Sequence, residues 1–215
     1  MPYAPFNLEG KVALVTGGNR GIGFGFAQAL YDAGAAVAIW GSNERNNREA
    51  VEKLGSGAKA WTVNVADEKQ VAEAMLEVAG HFGRIDSVFA NAGIGGGAKS
   101  FAEFPTETYR RVLSVNLDGV FFTLREAAKH MIERAKAGDP GGSLVGLASL
   151  AAIEGAAKNE AYAATKGAVV SMIKSIAVEH ARYGIRANSI LPGWIATDMT
   201  QDAQDSAAFA EKVIP

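Results

Sequence analysis

Six short apolar runs punctuate the chain: VALVT (12–16), AVAIW (36–40), KAWTVNV (59–65), IDSVFA (85–90), SLVGLAS (143–149) and IRANSIL (185–191). Their length and near-continuous hydrophobicity suit strands covered on both faces. Between them, apolar side chains recur at three- and four-residue spacing. Val112, Val115, Val120, Leu124, Ala127 and Ile132 fall near one face of the fourth helical stretch. Val169, Met172, Ile173 and Ile176 make a similar stripe later in the chain. Gly34 and Gly184 follow helical stretches, where a left-handed residue closes the last turn. KAGDPGGS (136–143) is a clear break before the fifth strand. Such strand–helix alternation predicts an α/β fold, a doubly wound parallel sheet with helices on both faces. A (β/α)8 barrel fits poorly, since six strands in 215 residues fall short of its usual eight in about 250. No repeat, low-complexity tract or linker divides residues 1–215, which are expected to form a single domain.

Composition narrows the function classes. Hydrophobic residues make up 48% and charged residues 20% of the chain. A net charge of -2 gives no footprint for nucleic acid or an anionic membrane. No apolar run approaches the roughly 18 residues of a membrane span, and MPYAPFNLEG lacks the basic-then-apolar order of a secretory signal. Zero cysteines exclude disulfides, thiolate metal sites and thiol nucleophiles. His81, His130 and His180 show no ligand spacing and read as helix-surface residues, so no metal is expected. A cytoplasmic enzyme or binding protein is the expectation.

The first strand runs into TGGNRGIGFGFAQAL, where Gly17, Gly21 and Gly23 form a T-G-x-x-x-G-x-G turn before an amphipathic helix. One glycine permits the tight turn, another lets backbone amides approach a pyrophosphate, and the third seats the helix close on the sheet. The helix N-terminus then presents unpaired N–H groups and a partial positive charge to the phosphates. A G-x-x-x-x-G-K-[ST] loop is absent, so nucleoside triphosphate hydrolysis is not supported.

The choice of dinucleotide is read near the end of the second strand, where an acidic side chain would bind the ribose hydroxyls of NAD. The strand instead ends IWGSNER, with Gly41 and Ser42 in that place. Arg20 lies in the glycine turn and Arg45 shortly after the strand. Missing negative charge with a guanidinium at hand favours NADP over NAD, since arginine grips phosphate bidentately. Read blandly, Arg20 is a solvated loop residue.

These residues, with five further matches, resemble the short-chain dehydrogenase/reductase family over nearly the whole chain. Besides TGGNRGIG, the resemblance rests on Asn91, Ala92 and Gly93, on Asn116 in SVNLDG, and on Ser149 thirteen residues before Tyr162. Tyr162 and Lys166 in YAATK and the segment RANSILPGWIAT (186–197) complete it. The resemblance implies a Rossmann-like sheet and a cofactor held by Gly17, Asn19, Arg20, Gly21, Ile22 and Gly23. Ser42, Asn64 and Val65 would follow on the adenosine side, and Asn91, Ala92 and Gly93 at the fourth strand. Tyr162, Lys166, Pro192, Gly193, Ile195 and Thr197 would close over the nicotinamide. Three departures stand out. Asn64 replaces the usual aspartate near adenine, Ala90 replaces the first asparagine of NNAG, and the chain stops at AEKVIP. Six strands are expected without the usual seventh, as though the C-terminal part were missing. A homodimer or homotetramer is implied, with the fourth and fifth helices paired across the dimer.

The chemistry follows from the pair at its centre. A free tyrosine has a pKa near ~10 and is a poor base at neutral pH. Residues four apart share a helix face, so the Lys166 ammonium can favour the Tyr162 phenolate. Reaching neutrality needs about three units, roughly 4 kcal/mol, which Lys166 and an oxidised nicotinamide together could supply. By resemblance, Tyr162 exchanges a proton with a ketone or secondary-alcohol oxygen and Ser149 hydrogen-bonds that oxygen. Lys166 also holds the nicotinamide ribose, and Asn116 a relaying water. In isolation, Ser149 reads as a strand-end hydroxyl and Asn116 as a helix side chain satisfying a neighbour; their joint spacing changes that. Trp40 and Trp61 read as core or edge packing, whereas Trp194 either lines the substrate pocket or packs. The segments 150–159 and 194–209 are expected to contact substrate. A second reading keeps the fold without catalysis, as a dinucleotide-binding sensor or scaffold; a third is dehydration or epimerisation.

Overall fold

A computed structural model describes residues 6–198, 200, 201 and 205 of the 215-residue chain. Strand β1 (Val12–Thr16) leads into α1 (Gly21–Asp32), followed by β2 (Ala36–Gly41), α2 (Glu44–Leu54), β3 (Ala58–Thr62) and α3 (Glu68–Phe82). After β4 (Ser87–Ala90) come α4 (Thr106–Leu113), a π-helical turn (Ser114–Asp118) and α5 (Gly119–Lys136). The chain continues through β5 (Gly142–Leu147), the one-turn α6 (Ala151–Glu154), α7 (Glu160–His180) and β6 (Ile185–Ile190). All six apolar runs are strands. The third is shorter than its run: past Thr62 the Asn64 side chain accepts the Ala66 N–H and turns the chain into α3. The one-turn α6 lies inside the segment 150–159 and left no periodic trace in so short a stretch.

Every strand pair is parallel, in the order β3-β2-β1-β4-β5-β6. The chain leaves β1 toward β2 on one side and returns at β4 on the other. The ends of β1 and β4 therefore open a crevice at the point where the winding reverses. Alternate side chains of the sheet feed two cores. Leu14, Trp40, Val88 and Leu144 pack with Met75 of α3, Leu124 and Met131 of α5 and Ile173 of α7. Val15, Val37 and Ile39 pack with Ala27 of α1 and Ala50 and Leu54 of α2. The helices thus cover both faces, as the alternation predicts. Gly34 and Gly184 take φ of +98° and +70°, the left-handed values expected after helical turns.

The π-helical turn explains the fourth stripe. Val112 and Val120 are both buried although eight residues and an irregular turn lie between them. One wide turn keeps them on the core face and places Asn116, fully buried, on the same face.

Candidate dinucleotide and carbonyl site

The crevice is a cleft of about 730 Å³. At its floor, β1 and β4 are stitched together by Thr16 and Asn91. Thr16 Oγ1 accepts the N–H groups of Asn91 and Ala92 at 3.0 and 2.9 Å. Asn91 Nδ2 donates to the Thr16 carbonyl at 2.8 Å and to Gly17 at 3.3 Å. The glycine turn sits on this seam. A side chain at Gly23 would overlap the Gly17 carbonyl oxygen and Asn91 Nδ2, so only glycine lets α1 start this close to the sheet.

The start of α1 is left open in a way the neighbouring helices are not. Asn43 caps α2 by accepting the Asn46 N–H, and Asp67 caps α3 by accepting those of Lys69 and Gln70. Arg20 at the start of α1 makes no side-chain cap. The first amides of α1 remain available beside a cradle that any Cβ would fill, which fits a dinucleotide pyrophosphate.

Toward the ends of β2 and β3 lies an amide hub with no signature in the local sequence pattern. Asn47 of α2 is buried at 3% exposure. Its Nδ2 donates to the carbonyls of Gly41 and Trp61 at 3.0 and 3.3 Å, and its Oδ1 accepts Asn19 Nδ2 at 2.8 Å. A Cβ at Gly41 would overlap both amides, so a side chain at position 41 would have to displace this hub. Ser42, Asn64 and Val65 line the cleft here, as does Arg20. Arg45 does not; its guanidinium pairs with Glu49 at 2.8 Å, one turn along α2.

At the other end Ser149, Tyr162 and Lys166 line the same cleft; Pro192, Gly193 and Ile195 line it too, as does Thr197, whose side chain lies against Gly21 of the glycine turn. The remaining expected cofactor residues, Gly17, Asn19, Gly21, Ile22, Asn91, Ala92 and Gly93, line it too. Lys166 Nζ lies 5.4 Å from the centre of the Tyr162 ring, so the two heads share one side of α7. Lys166 is 3% exposed and donates to the Leu147 carbonyl at 2.6 Å. Asn116 does not line the cleft but clamps its wall: Oδ1 accepts the Ile94 N–H at 2.8 Å, and Nδ2 donates to the Ile94 carbonyl at 2.9 Å. Ile94, Gly95 and Val115 also line the cleft and were not singled out in the sequence.

Three expectations are corrected. The protein's own groups raise the Tyr162 pKa rather than lower it: burial pushes it up, and the nearby Ser149 hydroxyl offsets only part of that. Burial instead lowers Lys166 to about 8. In addition, Trp194 stands 58% exposed and does not line the cleft. His130 is half-buried in α5, not on a helix surface, and its Nε2 accepts the Ile85 N–H at 3.1 Å. Part of the segment 194–209, namely 199, 202–204 and 206–209, lies outside the described residues. Among the described residues no helix is long and apolar enough to cross a membrane, and no acidic, histidine or cysteine cluster could hold a metal.

Strand order, glycine cradle and uncapped helix together define the dinucleotide-binding class of doubly wound proteins. Residues 11–208 match the short chain dehydrogenase family, and the chain belongs to it. It is 39% identical over 196 residues to an acetoacetyl-CoA reductase of Synechocystis sp., covering 90% of this chain and 75% of the relative. Among solved structures it is similar to a gluconate 5-dehydrogenase from Burkholderia cenocepacia in complex with NADP and tartrate. That likeness has a TM-score of 0.88 and 36% identity, covering 96% of this chain and 80% of the other. It is also similar to a 3-ketoacyl-(acyl-carrier-protein) reductase from Brucella melitensis complexed with NADH, at TM-score 0.87 and 31% identity, with 91% and 80% covered. The chain is an oxidoreductase of this family, and a nicotinamide dinucleotide is its cofactor class.

Proposed function

We propose that the protein is an NADP-dependent reductase or dehydrogenase that interconverts a ketone and a secondary alcohol, using Ser149, Tyr162, Lys166 and Asn116. One observation carries this reading: Ser149, Tyr162 and Lys166 converge on the cleft whose opposite end is the glycine cradle. A reduced nicotinamide bound there supplies the hydride to the carbonyl carbon. Tyr162 Oη donates its proton to the carbonyl oxygen as negative charge grows on it, and Ser149 Oγ donates a hydrogen bond to the same oxygen. Lys166, held by Leu147, keeps a cation near the phenol and would hold the nicotinamide ribose of a bound cofactor. It offsets the phenolate that the transfer leaves behind. Asn116 keeps Ile94 in place beside them. One domain carries both cofactor binding and catalysis.

The preference for NADP is supported by Gly41 and Ser42, which bring no carboxylate to the cleft at the end of β2, and by Arg20 in the cleft. No carboxylate stands where a 2′-phosphate would be repelled, and one guanidinium is at hand. NADPH should therefore bind more tightly than NADH in a fluorescence titration. Arg20→Ala should shrink the difference by about tenfold, the worth of one charge-assisted contact. Tighter binding of NADH by the unaltered protein would overturn the cofactor assignment. Turnover is sought by following NADPH consumption against a panel of ketones, 3-oxo esters and keto sugars. Failure across the panel would favour the sensor reading.

A further inference from the structure

The stretch Ile94–Ala98 (IGGGA) follows β4; Ile94 and Gly95 form the part of the cleft wall it supplies, and three consecutive glycines would leave the stretch little stiffness of its own. Its first residue is clamped by Asn116. Its far end is held from the turn that begins α7, the helix carrying Tyr162. Asn159 Oδ1 accepts the Gly96 N–H at 3.2 Å, and the Lys158 carbonyl accepts the Ala98 N–H at 2.9 Å.

Asn159 is the residue preceding the first turn of α7, where an asparagine side chain ordinarily accepts an amide of its own helix. Here it makes no such cap. The carboxamide is turned outward onto a loop 63 residues earlier in the chain. Lys158 beside it adopts φ of +66°, the one left-handed non-glycine residue described. Its N–H is held by Glu160 Oε1 at 2.9 Å while its carbonyl faces Ala98. From the opposite side Gly96 is pressed on α4, where an added Cβ would stand 2.5 Å from Val112 Cγ2 and 3.0 Å from Thr108 Cγ2. A flexible wall is thus fixed between α4 and the start of α7, at the cost of a helix cap and a strained backbone residue.

We propose that Asn159 is a positioning residue for the carbonyl substrate. By fixing Gly96 it holds the adjoining cleft-wall residues Ile94 and Gly95 in register with Tyr162, so that the substrate side of the cleft is preformed. The proposal rests on the reading of the cleft as a ketone-reducing site. Releasing the wall loosens the substrate and leaves the cofactor end, on the far side of the Asn116 clamp, untouched.

The test compares wild type, Asn159→Ala, Asn159→Asp and Gly96→Ala, with ethyl acetoacetate and cyclohexanone as probes and NADPH as reductant. Asn159→Ala should raise KM for the better probe about tenfold, with kcat within about threefold and NADPH affinity unchanged, as expected for loss of one positioning bond. Asn159→Asp retains an acceptor oxygen and should restore KM. Gly96→Ala, which displaces the same wall from the other side, should raise KM in the same way. Amide exchange gives a readout independent of turnover. Gly96 should exchange at least about tenfold faster in Asn159→Ala than in wild type and recover in Asn159→Asp. An unchanged KM in Asn159→Ala, or a KM rise that Asn159→Asp does not reverse, overturns the proposal. If neither probe is reduced by wild type, the ketone-reducing reading is at fault, and unchanged Gly96 exchange in Asn159→Ala then refutes the latch on its own.

Discussion

Lys166 is a charged group where the fold would rather have none. Burial lowers its pKa from 10.5 to about 8, and burial is the whole of the cause. The folded protein thus gives up this proton near pH 8 and the unfolded chain near 10.5, so keeping it at neutral pH costs stability, on the order of 3 kcal/mol at 1.36 per unit. The hydrogen bond to Leu147 returns part of that. Lys166→Met should therefore abolish turnover and yet raise the melting temperature at pH 7, by about 2–6 °C for a net gain of 1–2 kcal/mol. The gap to wild type should close as the pH rises from about 8 toward 10.5. A lower melting temperature for the variant at pH 7 would show that Lys166 stabilises the fold. At this scale the sequence was informative about identity and silent about environment. The spacing of Ser149, Tyr162 and Lys166 was readable because helix periodicity forces the last two onto one face. The upward shift of Tyr162 was not, because burial depends on which elements the fold packs around it. Asn47 and Asn159 were unreadable for a similar reason: their side chains join segments that the fold brings together, Asn47 meeting Asn19 28 residues away and Asn159 meeting Gly96 63 residues away.

Among the elements, the glycine turn and α1 were legible because chain order alone, strand then glycines then amphipathic helix, carries the argument. The π-helical turn was not, since a helical stripe reads the same until one extra residue shifts it. Nor was the role of His130. From α5 its Nε2 accepts the Ile85 N–H just before β4 begins, so the ring must stay neutral there. Burial lowers its pKa first of all, and Arg134 and Arg84 add to that while Asp86 opposes it. A histidine with a depressed folded pKa contributes stability in full above its unfolded value of 6.5 and loses it as the pH falls toward the folded value. Urea unfolding should accordingly show wild type losing stability below about pH 6.5. His130→Gln, with an acceptor that does not titrate, should lose less over that window. His130→Leu should cost about 1–3 kcal/mol at pH 7 by orphaning the Ile85 amide. Parallel pH profiles for wild type and His130→Gln would remove the histidine from this account.

The whole molecule shows why its two ends work together. Doubly wound order places the β1 and β4 termini side by side, and Thr16 and Asn91 lock them. The cradle on β1 and the wall after β4 then flank one cleft, while α7 delivers Tyr162 and Lys166 to it from beyond β5. Strand count, parallel pairing and two-sided cover were all available from periodicity. The long-range latches between loops were not, because they are set by tertiary closeness rather than by local pattern. The central claim is that this cleft moves a proton through Tyr162 while hydride passes between the cofactor and a carbonyl carbon. Tyr162→Phe keeps the ring and removes only the hydroxyl, so it tests that claim most directly through NADPH oxidation with the best carbonyl found for wild type. Turnover is expected to fall by about 10²–10⁴-fold with NADPH affinity within a few-fold, the usual scale for losing a general acid. Turnover in the variant equal to that of wild type would contradict it.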